Sequence, residues 1–113
     1  MGQSIRERLA ADLTEALKRR DHEAMTVLRT TLGAIGNAEA VPPTTSPSWP
    51  VSGSTEVARR QLTEDDFARV VRSEIEERKA AAELYRASGQ DSMADRLDAG
   101  TKLLAGYLTP APQ

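Results

Sequence analysis

Residues 62–110 read LTEDDFARVVRSEIEERKAAAELYRASGQDSMADRLDAGTKLLAGYLTP, and the fold is decided here. Phe67, Val70, Val71, Ile75, Ala82 and Tyr85 recur mostly at the spacing that aligns one face of an α-helix. Thr63 precedes Glu64, Asp65 and Asp66, which places carboxylates at the positive end of the helix dipole. The acid-first pairs Asp65 with Arg69 and Glu74 with Arg78 are expected to support this helix from its charged faces. Gly89 is expected to end it as a left-handed cap. Asp91 or Ser92 can then cap a further helix that turns Met93, Leu97, Leu104 and Tyr107 inward. Pro110 and Pro112 stop that helix and leave residues 110–113 as a short disordered tail.

Working upstream, Ser4-Ile5-Arg6-Glu7 has the form of a capping box, in which a hydroxyl and a carboxylate each satisfy an orphan amide. A first helix follows to about Arg20, with Ile5, Leu9, Leu13, Ala16 and Leu17 on its inner side. Asp21 can cap a second helix whose stripe is Met25, Leu28, Leu32 and Ile35. The junction is so short that the two helices should lie antiparallel. Gly33 and Gly36 interrupt this second stripe, each at a cost of up to about 1 kcal/mol relative to alanine. They mark either a frayed end near Val41 or a close helix contact.

Residues 41–61, VPPTTSPSWPVSGSTEVARRQ, change character. Four prolines remove backbone donors and push their predecessors away from helix, so the segment reads as a long surface loop. Loops of this length inside a domain are usually mobile or functional. Trp49 is the only tryptophan. It reads as an anchor that holds the loop to the helices, or as an exposed contact for a partner or a base. Arg59 and Arg60 form a small basic cluster just after it.

The expected architecture is all-α: a small antiparallel bundle of about four helices in one domain, residues 1–113. Low aromatic content and abundant alanine fit helices better than sandwiches or barrels. A net charge of −2 weighs against nonspecific nucleic-acid binding, which needs a basic face. There is no cysteine and a single histidine, His22, so neither a disulfide framework nor a His/Cys zinc cluster is available. No apolar run is long enough to span a bilayer, and the N-terminus lacks the apolar core of a signal peptide. Gly2 reads as an ordinary start rather than a lipidation site. The cytoplasm is the expected location.

Reaction chemistry finds little support in these residues. A hydrolase triad needs a base within reach of a nucleophile, and His22 falls at a surface-type helix start. Glu74, Glu76 and Glu77 are interleaved with Arg72, Arg78 and Lys79, which reads as a solvated face rather than an acid/base pair. The scattered glycines form no phosphate loop. No catalytic residue, metal or cofactor is therefore assigned. Arginine offers more. Arg29, Arg69, Arg72 and Arg78, with Lys79, either form a structural ion-pair network with Glu74 and Glu39 or converge as a fork for phosphate or carboxylate.

Ile5, Leu9, Asp12, Ala16, Lys18 and Asp21 lead into Leu28-Arg29, Ala34-Ile35, Asn37 and Glu39. The series resumes with Leu62-Thr63, Val70-Val71, Glu74, Arg78, Ala82, Tyr85, Gly89 and Tyr107-Leu108 before Pro110. In this order the residues resemble the helical N-terminal part of the GatB/YqeY family, over nearly the whole chain except the proline-rich loop. The resemblance implies a bundle similar to the region linking the catalytic body to the tRNA-contacting tail in the B subunit of tRNA-dependent amidotransferases. It also carries a family name that suggests carbon-nitrogen ligase activity with glutamine as amide donor, although transamidation belongs to other domains of those enzymes. Free-standing members usually continue into a second helical domain, the part most associated with tRNA contact, and the Trp49 insertion is atypical.

The resulting expectation is a noncatalytic accessory module for tRNA or an amidotransferase assembly, using Arg29, Arg69, Arg72, Arg78, Lys79, Trp49, Arg59 and Arg60. The alternative is a protein-protein or self-association module without RNA binding.

Overall fold

Ser4 opens the first helix as its spacing to Glu7 requires. Its hydroxyl accepts from the Glu7 amide at 3.1 Å, and the Glu7 carboxylate accepts from the Ser4 amide at 3.0 Å. In this computed structural model, residues 3–40 and 61–108 are described, and they form four helices: α1 (Ile5–Arg19), α2 (His22–Glu39), α3 (Glu64–Ala87) and α4 (Asp91–Ala105). The fold is all-α, as expected. The expected loop up to residue 60 and the expected tail at 110–113 lie outside the described residues, as do Gly2, Trp49, Arg59 and Arg60.

Two tight connections make two helical hairpins. Between α1 and α2, Arg20 takes a left-handed conformation with φ 57°, a geometry usually reserved for glycine. It holds because the Asp21 amide reaches back to the Ala16 carbonyl at 3.0 Å, while the Asp21 carboxylate caps α2 by accepting from the Ala24 amide at 3.1 Å. Between α3 and α4, Gly89 has φ 79°, which glycine adopts without steric penalty. The N-cap of α4 is Gln90 and makes no side-chain capping bond, so Asp91 and Ser92 do not cap this helix as expected. Gln90 donates its own amide to Tyr85 at 2.8 Å instead, and this Schellman-like closure of α3 sets where α4 begins.

Helix α2 packs on both α3 and α4, and α1 also reaches α3, so the hairpins share one core. Leu9, Leu28, Ile35, Val71 and Leu104 are its fully enclosed apolar side chains. Thr31, absent from the expected stripe, is equally buried because its hydroxyl donates to the Val27 carbonyl at 2.9 Å. Leu17 was expected to face inward, yet it is 44% exposed. At about 100° per residue, position 17 has drifted well off the face through which Leu9 and Ala16 are buried.

Two contacts tie α1 to the rest through its first turn. Glu64, expected to serve the dipole of its own helix, accepts from the Ile5 amide at 3.0 Å and so caps α1 from the start of α3. Arg6 grips the half-buried Glu39 at the end of α2 through Nε at 2.8 Å and Nη2 at 3.1 Å. Further along α1, the Tyr107 hydroxyl donates to Asp12, and the Arg8 guanidinium stacks 5.0 Å from the Tyr107 ring centre. Burial first, and then Asp12, raise the Tyr107 hydroxyl well above its ordinary pKa, keeping it a donor.

Helix α3 opens with a second capping box, formed by Thr63 and Asp66. The Asp66 carboxylate accepts from the Thr63 amide at 3.0 Å and is thereby held below the usual carboxylate range. Its stabilising share is present above the ordinary carboxyl pKa and is lost as pH falls through the lowered value. Thr63→Ala is expected to cost about 1 kcal/mol at neutral pH, measurable by urea denaturation.

Candidate functional site

Among the described residues, the cations singled out in the sequence do not all share one face. Arg69, Arg72 and Lys79 are exposed and share one side of α3, whereas Arg78 is half-buried on another side, toward α4. Arg69 pairs with Asp66 at 3.0 Å, not with Asp65, because the capping box holds that carboxylate in place for it. Lys79 lies 3.8 Å from Glu76. Arg29 and Arg72 are exposed and have no hydrogen-bond or ion-pair partner among the described residues. Glu39, expected to pair with helix-two or helix-three arginines, is held by Arg6.

Glu74 is the clearest correction. Its spacing among charges reads as solvated, yet the residue is only 8% exposed. Its position between Val71 and Ile75 turns it into the α3 face that meets the bundle. Burial, then repulsion from Glu77, pushes its carboxyl up, and Arg78 partly opposes this. A raised carboxyl destabilises the fold where it must ionise, so this contribution worsens as pH climbs from the ordinary carboxyl value through the raised one. Glu74→Gln is accordingly expected to melt at a higher temperature than the parent at pH 7, with the gap closing toward pH 4. Thermal melts followed by circular dichroism across that range check it.

Arg78 lines a groove of about 300 Å³ between the start of α2, the middle of α3 and α4. His22 and Thr26 border it from α2, and Val27, Met93 and Leu97 give it an apolar lining. Helix α4 approaches closely here because position 100 is glycine: a methyl group there would come 3.0 Å from Val27 Cγ2 and 3.4 Å from Arg78 Nε. The close helix contact considered for Gly33 and Gly36 is found at Gly100 instead, since among the described residues a methyl group at either earlier glycine would meet nothing within 4 Å.

Arg78 Nε is sealed from solvent and finds no acceptor, and Thr101 Oγ1 is the other such buried side-chain atom among the described residues. An unpartnered buried donor is uncommon and calls for a physical reason. Arg96, on α4, reaches Glu23 on α2 at 3.3 Å and borders both this groove and a second hollow of about 320 Å³ beside Arg19 and Leu103. The groove residues His22, Glu23, Arg96 and Gly100 were not assigned a site from sequence. The only signal that could have found them is a glycine interrupting the apolar pattern of α4.

No family model matches the chain, and no curated protein does. Among the described residues no helix is long and apolar enough to cross a membrane, and no group of three or more His, Cys, Asp or Glu is placed to hold a metal ion.

Proposed function

We propose that the chain is a noncatalytic accessory module, akin to the tail-region helices of amidotransferase B subunits in the GatB/YqeY family, that contacts tRNA or an assembly acting on it. One observation supports this above the others: the residues that carry the resemblance are structural parts of the bundle. Leu28, Ile35, Val71 and Ala82 are core, Gly89 makes the α3–α4 turn, Asp12 receives Tyr107, and Glu39 receives Arg6. On this reading the shared feature would be a scaffold, with ligand contact left to its surface. Arg29 and Arg72, exposed and without a partner among the described residues, are the cations of the expected set most available to phosphate. On this reading the ligase chemistry in the family name belongs to other domains.

The test is fluorescence anisotropy of labelled bulk tRNA across a salt series, with labelled duplex DNA as control. Saturable, tRNA-preferring binding that weakens with salt and is lost in an Arg29→Ala, Arg72→Ala double variant is the expected result. Absence of binding at low salt overturns the RNA role and leaves the protein-contact reading. That second reading has its own observation: Leu84, on α3, is 73% exposed. A strict monomer in light scattering, with no partner retained, would exclude it.

A further inference from the structure

The groove around Arg78 goes beyond the tRNA reading and does not depend on it. We propose that this groove is a binding site for a small monocarboxylate with an apolar body, held by the Arg78 guanidinium against Val27, Met93 and Leu97.

Three features of the groove lead there. Arg78 borders it with no hydrogen-bond or ion-pair partner, and an arginine withdrawn from bulk water is strongly favoured by a bidentate acceptor. Because Nε is sealed against Gly100, only the two terminal guanidinium nitrogens are left to a ligand. A planar carboxylate meets such a pair end-on with two parallel hydrogen bonds.

Charge then selects between anions. The fixed charges lining the groove are Arg78, Arg96 and Glu23, with His22 as a further titratable neighbour, and the Arg96–Glu23 pair carries no net charge. One positive charge remains, which matches a monoanion better than a phosphate dianion. Buried Glu74, one turn before Arg78, adds negative potential as far as it ionises, which opposes any anion and a dianion twice as strongly as a monoanion. Finally, Val27, Met93 and Leu97 offer an apolar wall beside Arg78, with polar His22 and Thr26 at the α2 border, and about 300 Å³ suits a body the size of a phenyl or branched aliphatic group.

Sodium benzoate is the probe, with benzamide as its neutral counterpart and phenyl phosphate as the dianion. Titrated into 15N-labelled protein, benzoate is expected to give saturable amide shifts clustered at His22, Val27 and Gly100. Benzamide is expected to bind at least about tenfold more weakly, the loss that accompanies removal of charge-assisted hydrogen bonds. Arg78→Gln is expected to lose benzoate binding by a similar factor, and Arg78→Lys to restore it only in part, since an ammonium cannot form the fork. Benzoate shifts that are absent or lie elsewhere, or equal binding of benzamide, would overturn the proposal. Phenyl phosphate binding as tightly as benzoate would overturn the choice of a monoanion. The comparison of benzoate with benzamide uses the parent protein alone, so it decides the matter even if the Arg78 variants fold poorly.

Discussion

Leu104→Ala is expected to lower the free energy of unfolding by about 2–5 kcal/mol, the range for truncating a fully enclosed leucine. Leu104 has no exposed surface and belongs to the cluster that joins Leu9, Leu28, Ile35 and Val71. The loss has two parts: apolar surface no longer removed from water, and a cavity the surrounding helices cannot fully close. Small domains have total stabilities of only about 5–15 kcal/mol, so this one change removes a large fraction. Urea denaturation should show a lower midpoint with an unchanged slope. A loss below about 1 kcal/mol would mean that the site collapses freely and that Leu104 is not held by its neighbours.

Gly100→Val is the second large effect, expected to cost about 1–3 kcal/mol through overpacking. A valine at this position must displace Val27 or the Arg78 stem, since even its Cβ would sit 3.0 Å from Val27 Cγ2. Helix propensity acts the other way, because glycine is the poorest ordinary residue inside a helix. Packing wins because Val27 and Arg78 press on the same point from two helices. The diagnostic is a double-mutant cycle. Val27→Ala should be destabilising alone and partly corrective in the Gly100→Val background, with a coupling of about 0.5–3 kcal/mol. Additive losses would show that α2 and α4 do not meet through these two residues.

Much of this framework could be read from residue order, because it depends on local chemistry. The Ser4 box, the Asp21 cap, the turn at Gly89 and the apolar periods of α1 to α4 involve residues close in sequence. The groove depends on residues from three helices, and no local pattern announces that Gly100 faces Val27 and Arg78. Glu74 was misread for the same reason. A glutamate among charges looks solvated until α3 is placed against its neighbours. Spacing likewise favours Asp65 for Arg69, but the box at Thr63 fixes Asp66 as the nearer acceptor. Thr63 thus settles a charge pair two turns into the helix.

The first turn of α1 holds both Glu39, the last residue of α2, and Glu64, the first residue of α3. The helix ends that flank residues 41–60 are thus pinned to one place by contacts that belong to the frame. The entropy of closing a loop rises only logarithmically with its length. A reporter peptide or a small folded domain spliced between residues 41 and 60 should therefore leave the melting behaviour of the helices almost unchanged. The bundle is, in engineering terms, a chassis with a ready-made insertion port.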